Sequence, residues 1–533
     1  MMKSTIFAGV LLVASLQALA VEPEWSADLG NGRYRNPILH ADYSDPDVIR
    51  VGDTYYMTAS SFNSVPGLPL LTSKDMVNWS LAGHALPRLV PQTHFSQPRY
   101  GDGVWAPCLR YHDGKFWIFY PDPDFGVYVI TAENFAGPWS EPRLLLAGKG
   151  IIDPTPLWDD DGKAWLLHAW AKSRAGFNNV LTLRAMSPDA KRLLDEQGEV
   201  VIDGNQLPGY RTLEGPKLYK HNGWYYVFAP AGGVEVGWQS VFRSRSIRGP
   251  YEARIVMEQG GTPVNGPHQG AWVSAQDGSD WFFHFQDKQA FGRIVHLQPM
   301  QWQDGWPLIG QPGPKPGTGN PVAEWRKPVL GQTAQAPAAS DEFNGTQLGA
   351  QWQWNANPQA GWSSLTAREG WLRLTTQAAA PDSVRMAPNL LTQKLPGPAF
   401  VVDTRIALHG AGEGDRAGLI MNGLSYAWIG LRQRGGRLQL VYATCASAAP
   451  PCREQAALLR EDAPASLYLR MQVTADSRAI FSYSVDGQSF TGAGPAFAVS
   501  KGRWVGAQMG LFSAGDAPGK GYLEADYFRV TPR

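Results

Sequence analysis

One pattern recurs five times between residues 45 and 285: a polar or proline-bearing opening, an apolar strand, a tight turn and an aromatic-rich strand. The first unit reads Asp45-Pro46-Asp47-Val48-Ile49-Arg50, then Gly52-Asp53, then Thr54-Tyr55-Tyr56-Met57. The second opens at Trp105-Ala106-Pro107, turns at Asp113-Gly114 and returns through Phe116-Trp117-Ile118-Phe119-Tyr120. The third opens at Asp153-Pro154-Thr155, turns at Asp161-Gly162 and returns through Ala164-Trp165-Leu166-Leu167. The fourth opens at Glu214-Gly215-Pro216 and turns at Asn222-Gly223; the fifth opens at His268-Gln269-Gly270 and turns at Gly278-Ser279. Asp-Gly and Asn-Gly between apolar runs mark hairpins, because both residues tolerate positive φ. The turns lie roughly 50–60 residues apart, room for a second hairpin per unit, and four-stranded units at that period are the signature of a propeller. Second hairpins are visible at Tyr128-Val129-Ile130-Thr131 and Val241-Phe242-Arg243-Ser244. The spacing therefore predicts an all-β chain that begins with a five-bladed β-propeller over residues 21–306. A sandwich with coincidental hairpins is the rival, and it leaves the repeated openings unexplained.

Residues 307–340 are rich in Pro, Gly, Gln and Ala, as in Gln311-Pro312-Gly313-Pro314-Lys315-Pro316-Gly317, and read as a linker. From Asp341 to Arg533 the strands alternate apolar and polar residues, as in Phe400-Val401-Val402-Asp403-Thr404-Arg405-Ile406, with turns such as Asp486-Gly487. That pattern predicts a half-exposed antiparallel sheet, most simply a jelly-roll-like β-sandwich. Residues 188–194 alone suggest a short helix.

Composition narrows the function classes. Lys+Arg and Asp+Glu both number 47, so the net charge is zero and the chain has no electrostatic footprint for nucleic acid or an anionic membrane. The 21 Trp, 19 Tyr and 21 Phe, with 58 Gly and 41 Pro, fit an all-β exported protein. Residues 1–20 read as a signal peptide: Lys3, an apolar run over 6–16, and the small-residue cleavage site Ala18-Leu19-Ala20. A mature chain starting at Val21, secreted or periplasmic, is expected. No Cys follows the cleavage site, and no lipid anchor or membrane span is expected. Cys445 and Cys452 bracket a short loop and are expected to pair in an oxidising compartment; Cys108 reads as a buried, inert thiol.

In a propeller the innermost strands surround a central funnel. The five opening residues are Asp45, Trp105, Asp153, Glu214 and His268, and three of them are acidic. If the units superpose, three carboxylates from three blades meet at one site. Like charges in a desolvated funnel raise one another's pKa, which separates a proton donor from a proton acceptor. Glycosidic cleavage needs such a pair: an acid for the leaving oxygen and a carboxylate on the opposite face. Phe62, Trp105 and Trp238 are expected at the rim as flat surfaces for sugar C–H groups. The flanking Asp42 and Asp47 read as loop-shaping, and Asp159-Asp160-Asp161 as a solvated turn rather than a calcium loop.

These motifs resemble glycoside hydrolase family 43, the β-xylosidases and α-L-arabinofuranosidases. The resemblance rests on Asn36-Pro37-Ile38-Leu39, Tyr43-Ser44-Asp45-Pro46-Asp47, Gly103-Val104-Trp105-Ala106-Pro107, Ile152-Asp153-Pro154-Thr155, Glu214-Gly215-Pro216-Lys217 and Gly292-Arg293. It implies Asp45 as general base, Glu214 as general acid and Asp153 as the carboxylate that orients the acid and tunes its pKa. It further implies Arg293, Phe62, Trp105 and His268 as substrate-binding residues, and a concanavalin-like C-terminal sandwich. The family inverts configuration, which places base and acid about 6.5–9.5 Å apart. The first motif reads Ser-Asp-Pro-Asp where many relatives read Pro-Asp-Pro-Ser, a departure outside the three acids.

The implied function is exo-acting release of terminal β-D-xylosyl or α-L-arabinofuranosyl residues from hemicellulose fragments such as xylan, arabinoxylan or xyloglucan. No cofactor is expected to be required; a structural Ca²⁺ or Na⁺ on the propeller axis beside His268 is left open. An endo-arabinanase, which needs an open groove, is the rival within the class. A non-catalytic carbohydrate-binding propeller is the rival outside it.

Overall fold

The computed structural model describes residues 25–446 and 452–533. Five sheets follow one another along the chain, each built on four consecutive antiparallel strands. Their innermost strands are Asp47–Val51, Cys108–His112, Ile151–Trp158, Lys217–His221 and Trp272–Ser274. Each pairs with the next strand through the hairpin read from sequence: Val51 faces Thr54, His112 faces Lys115 and His221 faces Trp224. Asp113-Gly114 and Asn222-Gly223 both have positive φ at each position, the primed turn whose twist matches that of the flanking strands.

The propeller is closed by its N-terminal segment. Ile38 N–H donates to Val295 O at 2.8 Å and Val295 N–H returns to Leu39 O at 3.0 Å. The Asn36 side chain bridges Leu297 and Val322. This seats Ser44 and Asp45, a few residues on, at the mouth of the funnel.

The segment read as a linker over 307–340 is laid along the propeller. Trp306–Ile309 is the outermost strand of the fifth blade, so the propeller extends past the expected boundary at residue 306. Gln311–Pro312 and Gly319–Asn320 widen the sheet of the fourth blade, and Glu324–Arg326 pairs with Arg33–Arg35. Composition does not reveal this, because Pro and Gly are compatible with edge pairing as well as with loops. The helix suggested at 188–194 is a turn closed by a Met186–Leu193 bridge; the one α-helical turn among the described residues is Lys172–Ala175.

The C-terminal unit is a β-sandwich of two eight-stranded sheets. Ser466–Val473 alternates buried and half-buried positions along its whole length, as the period-two pattern requires. Cys445 and Cys452 form a disulfide, and Cys108 is buried, its thiol pushed up to about 11 by desolvation. One apolar cluster runs without a break from Val65, Leu68, Leu89 and Phe95 of the propeller into Trp352, Trp354, Trp362 and Phe400 of the sandwich. Val65 and Trp354 also exchange backbone hydrogen bonds. An interface with a continuous apolar core fixes the two units in one relative position.

Candidate active site

The five opening residues, Asp45, Trp105, Asp153, Glu214 and His268, line one cavity of about 310 Å³ together with Phe62 and Arg293. The acids, His268, Arg293, Phe62 and Trp105 read from sequence are therefore brought together. Trp238 is the exception among the expected rim aromatics. Its ring packs on Tyr210 and its indole N–H donates to Ser240, away from the cavity. The hairpin carrying it pairs with outer strands, and sequence position within the blade does not show which face an aromatic takes.

Asp45 and Asp153 both sit in the left-handed region at φ 54°, and Phe62 at φ 49°. Non-glycine residues held there cost about 1 kcal/mol or more each, a strain that clusters at functional sites. Asp45 is 4% exposed. Its Oδ2 accepts hydrogen bonds from Ser44 Oγ at 2.7 Å and Ser60 Oγ at 2.6 Å, and Arg293 Nη1 lies 3.3 Å from both carboxylate oxygens. One cation and two hydroxyl donors thus surround the Asp45 carboxylate.

Glu214 and Asp153 stand in a different environment. Burial, the neighbouring Asp153 and, more weakly, Asp45 push the Glu214 carboxyl up to about 8, against the opposing pull of Arg293. Burial and Asp45 push Asp153 up to about 7, against the Gly215 N–H and Lys217. The two acids influence each other, so the pair as a whole holds a proton near neutrality. Asp153 Oδ2 accepts the Gly215 N–H at 2.7 Å, which ties it to the backbone directly after Glu214. His268 is 1% exposed and its Nε2 lies 3.5 Å from Glu214 Oε1. Burial and then Arg293 hold its imidazole down to about 3, so it is neutral.

His268 is the residue beside which the sequence leaves a structural ion open. Among the described residues no group of three or more His, Cys, Asp or Glu is arranged to hold a metal, whereas Ca²⁺ takes six to eight oxygens. No chemical step is routed through an ion here.

The flanking acids shape the loop, as read. Asp47 is fully buried and accepts from Leu109 N–H at 2.7 Å and Arg110 at 3.0 Å, with Lys217 Nζ 3.3 Å away, tying three blades together beneath the cavity. Asp159 pairs with Lys220 and Tyr225, and Asp160 and Asp161 are exposed, as for a solvated turn.

Several residues of the site were not read from sequence. Ser44 and Gln269 stand next to residues that were, so their neighbourhood is a usable signal. Lys172 and Ser173 line the cavity from the loop that follows the second strand of the third blade. Trp504 comes from the sandwich, with φ 67°, and its ring centroid is 6.0 Å from that of Trp105. The Phe62 ring also packs on Trp105, with centroids 6.1 Å apart. Three aromatic rings from two domains thus form one wall. No local pattern marks Trp504, which is brought to the cavity only by the docking of the two domains.

Known proteins show the same two-part plan. Residues 34–307 match Glycosyl hydrolases family 43, and residues 340–531 match the beta xylosidase C-terminal concanavalin A-like domain. A relative from Xylanibacter ruminicola is 40% identical over 92% of this chain and 88% of its own length. A beta-xylosidase from Formosa agariphila is 34% identical over 94% and 90%. The crystal structure of a xylan beta-1,4-xylosidase from Bacillus halodurans superposes with a TM-score of 0.82 at 25% identity, covering 93% of this chain and 99% of that one. With three carboxylates from three blades converging on a cavity walled by both domains, and with these matches spanning both units, the chain belongs to glycosyl hydrolase family 43 and is a glycosidase.

Proposed function

We propose that the enzyme is an exo-acting, inverting pentosidase that removes terminal β-D-xylosyl or α-L-arabinofuranosyl residues from hemicellulose fragments. In this reading Glu214 is the general acid, Asp45 the general base and Asp153 the residue that orients Glu214 and keeps it protonated. The observation that carries it is the convergence of three carboxylates from three blades on one cavity, with Asp45 beside Arg293 and with burial and Asp153 raising Glu214. A lectin has no use for a buried acid poised to release a proton.

The chemistry follows from that arrangement. Glu214 gives its proton to the glycosidic oxygen as the bond to the anomeric carbon breaks. Asp45 takes a proton from a water that attacks the opposite face, so the anomeric configuration inverts. Phe62, Trp105 and Trp504 offer apolar faces to the sugar ring, and Arg293 offers N–H groups to its hydroxyls. Xylopyranose and arabinofuranose can present similar hydroxyl arrangements to one such pocket. Closure of the cavity by a residue of the second domain supports release of terminal units over cleavage within a chain, which needs an open groove.

Export belongs to the same proposal: the signal peptide read at residues 1–20 lies outside the described residues, and N-terminal sequencing of the mature enzyme tests it. The function is tested with nitrophenyl β-D-xylopyranoside and α-L-arabinofuranoside, following anomer formation by NMR. Release of the inverted sugar is expected, lost in Asp45→Asn and, on an unactivated xylo-oligosaccharide, in Glu214→Gln, whose nitrophenyl turnover falls less. Undiminished turnover in either variant overturns the assignment of roles.

A further inference from the structure

Asp42 is 5% exposed and lies three residues before Asp45, yet it makes no contact with the cavity. Its two carboxylate oxygens serve different domains. Oδ1 accepts the backbone N–H of Arg293 at 2.8 Å, on the propeller. Oδ2 accepts the backbone N–H of Gly506 at 2.9 Å, on the sandwich. From this we propose that Asp42 is a positioning residue which couples the placement of Arg293 to that of Trp504, so that the sugar-binding wall from the second domain and the cation beside the base are set by one carboxylate. The inference rests on the catalytic reading above.

The local packing fits this role and leaves little slack. A Cβ on Gly292 would lie 2.4 Å from Asp42 Cγ, and a Cβ on Gly506 would lie 2.7 Å from Gly292 N. Two glycines, one per domain, therefore let the backbones meet around the carboxylate, and Ala507 N–H donates to Ala290 O at 2.7 Å beside them. Each end of this junction leads directly to the site. Arg293 continues to Ser44 Oγ at 2.8 Å and to Asp45. Trp504 lies two residues before Gly506, in a strained conformation at φ 67°, against Trp105.

A further fastening of the Trp504 loop is partly exposed. Lys501 lies 3.6 Å from both Glu235 and Asp287; the lysine is 36% exposed and Glu235 60%, while Asp287 is 7% exposed. Solvent screening weakens the Lys501–Glu235 pair most. A buried carboxylate that accepts two backbone N–H groups is the stronger tie, because removing it strands both donors without water. Lys394 of the sandwich supplies a favourable charge to Asp42, opposing the cost of its burial.

Asp42→Asn keeps the size but turns one acceptor into an NH₂ that faces a backbone N–H. The expected result is a fall in kcat/KM of about tenfold or more, carried largely by KM, since misplacement by about an ångström is enough for such a loss. Glu214 faces Asp153, Asp45, Arg293 and His268, and Arg293 is the one that lowers its pKa. Displacing Arg293 should therefore move the alkaline limb of the kcat/KM profile to higher pH. The decisive measurement is a double-mutant cycle with Trp504→Ala: the Asp42→Asn loss should shrink at least threefold in that background, because the part transmitted through Gly506 is already gone. Equal losses in both backgrounds with an unmoved alkaline limb would overturn the coupling. Should Asp42→Asn fail to fold, Gly506→Ala disturbs the same junction from the sandwich side and must give the same cycle. Glu214→Gln, assayed in parallel on an unactivated xylo-oligosaccharide, separates the two ideas: undiminished activity there removes the catalytic reading itself.

Discussion

Replacing Glu214 by glutamine should stabilise the protein while disabling it, and the gain should depend on pH. In the folded chain, burial and then Asp153 push the carboxyl up to about 8, while the unfolded chain keeps an ordinary value near 4.5. The sign follows from which state holds the proton. Between those two values the folded state is protonated and the unfolded state is not, so stability falls as pH rises through this window. Each pH unit within it costs about 1.4 kcal/mol, or about 3 kcal/mol by pH 7. Glutamine has similar size and no ionisation, so the variant escapes that loss. Its side-chain position is 26% exposed, toward the cavity, so the amide can be hydrated there. Coupling to Asp153 shares the effect between the two residues, and about 2–3 kcal/mol at pH 7 is the expected gain. At pH 4 the two proteins should be nearly equal. The assay is urea or thermal unfolding of both proteins at pH 4, 5.5, 7 and 8, at one scan rate. For a propeller of this size the gain corresponds to a rise of several degrees in Tm at pH 7. Activity on an unactivated xylobiose-type substrate should fall about 10²–10⁴-fold, the usual worth of a general acid, and less on a nitrophenyl glycoside whose leaving group needs little protonation. A stability difference that is absent, negative or independent of pH would refute the claim that Glu214 is held protonated by its surroundings.

Three further outcomes follow from the same geometry. Trp504→Ala should raise KM for the pentoside about tenfold with little change in Tm, because the side chain is 42% exposed and closes the cavity without supporting the core; an unchanged KM would remove the second domain from the site. Asp47→Ala should destabilise the propeller by about 3–5 kcal/mol, since it leaves Arg110 and Lys217 charged and buried without their carboxylate; denaturant unfolding checks this, and a loss under about 1 kcal/mol contradicts it. Replacing Cys445 and Cys452 by serine should lower stability by about 2 kcal/mol, the order expected for a short closed loop, with kcat/KM on the pentoside unchanged; an altered kcat/KM would show that this loop reaches the site.

Much of this molecule was legible from its residues. The hairpin turns Asp113-Gly114 and Asn222-Gly223 demand positive φ at both positions, and they recur at a period that only a few architectures satisfy. Once the units were aligned, Asp45, Asp153 and Glu214 fell at equivalent places, and a propeller brings equivalent places together around its axis. That is a local code read five times, so errors in one unit are corrected by the others. The Pro- and Gly-rich stretch after residue 306 was harder, because those residues permit both a free linker and edge pairing; the partners, Met257 and Arg33 to Arg35, decide between them.

What only the tertiary structure decided is the join between the domains. Trp504 reaches Trp105, and Gly506 reaches Asp42, across about four hundred residues or more, by rigid docking of two domains on a shared apolar core. No period or motif encodes such a contact, because the residues on each side satisfy the rules of their own domain with or without it. The surroundings of the acids were decided there as well. Asp45 and Glu214 are both carboxylates at the head of an inner strand, and their place in the repeat does not tell them apart; only the resemblance does. The tertiary structure puts Arg293 beside Asp45 and a buried Asp153 beside Glu214, whose carboxyl is raised, and the proposed roles rest on that arrangement.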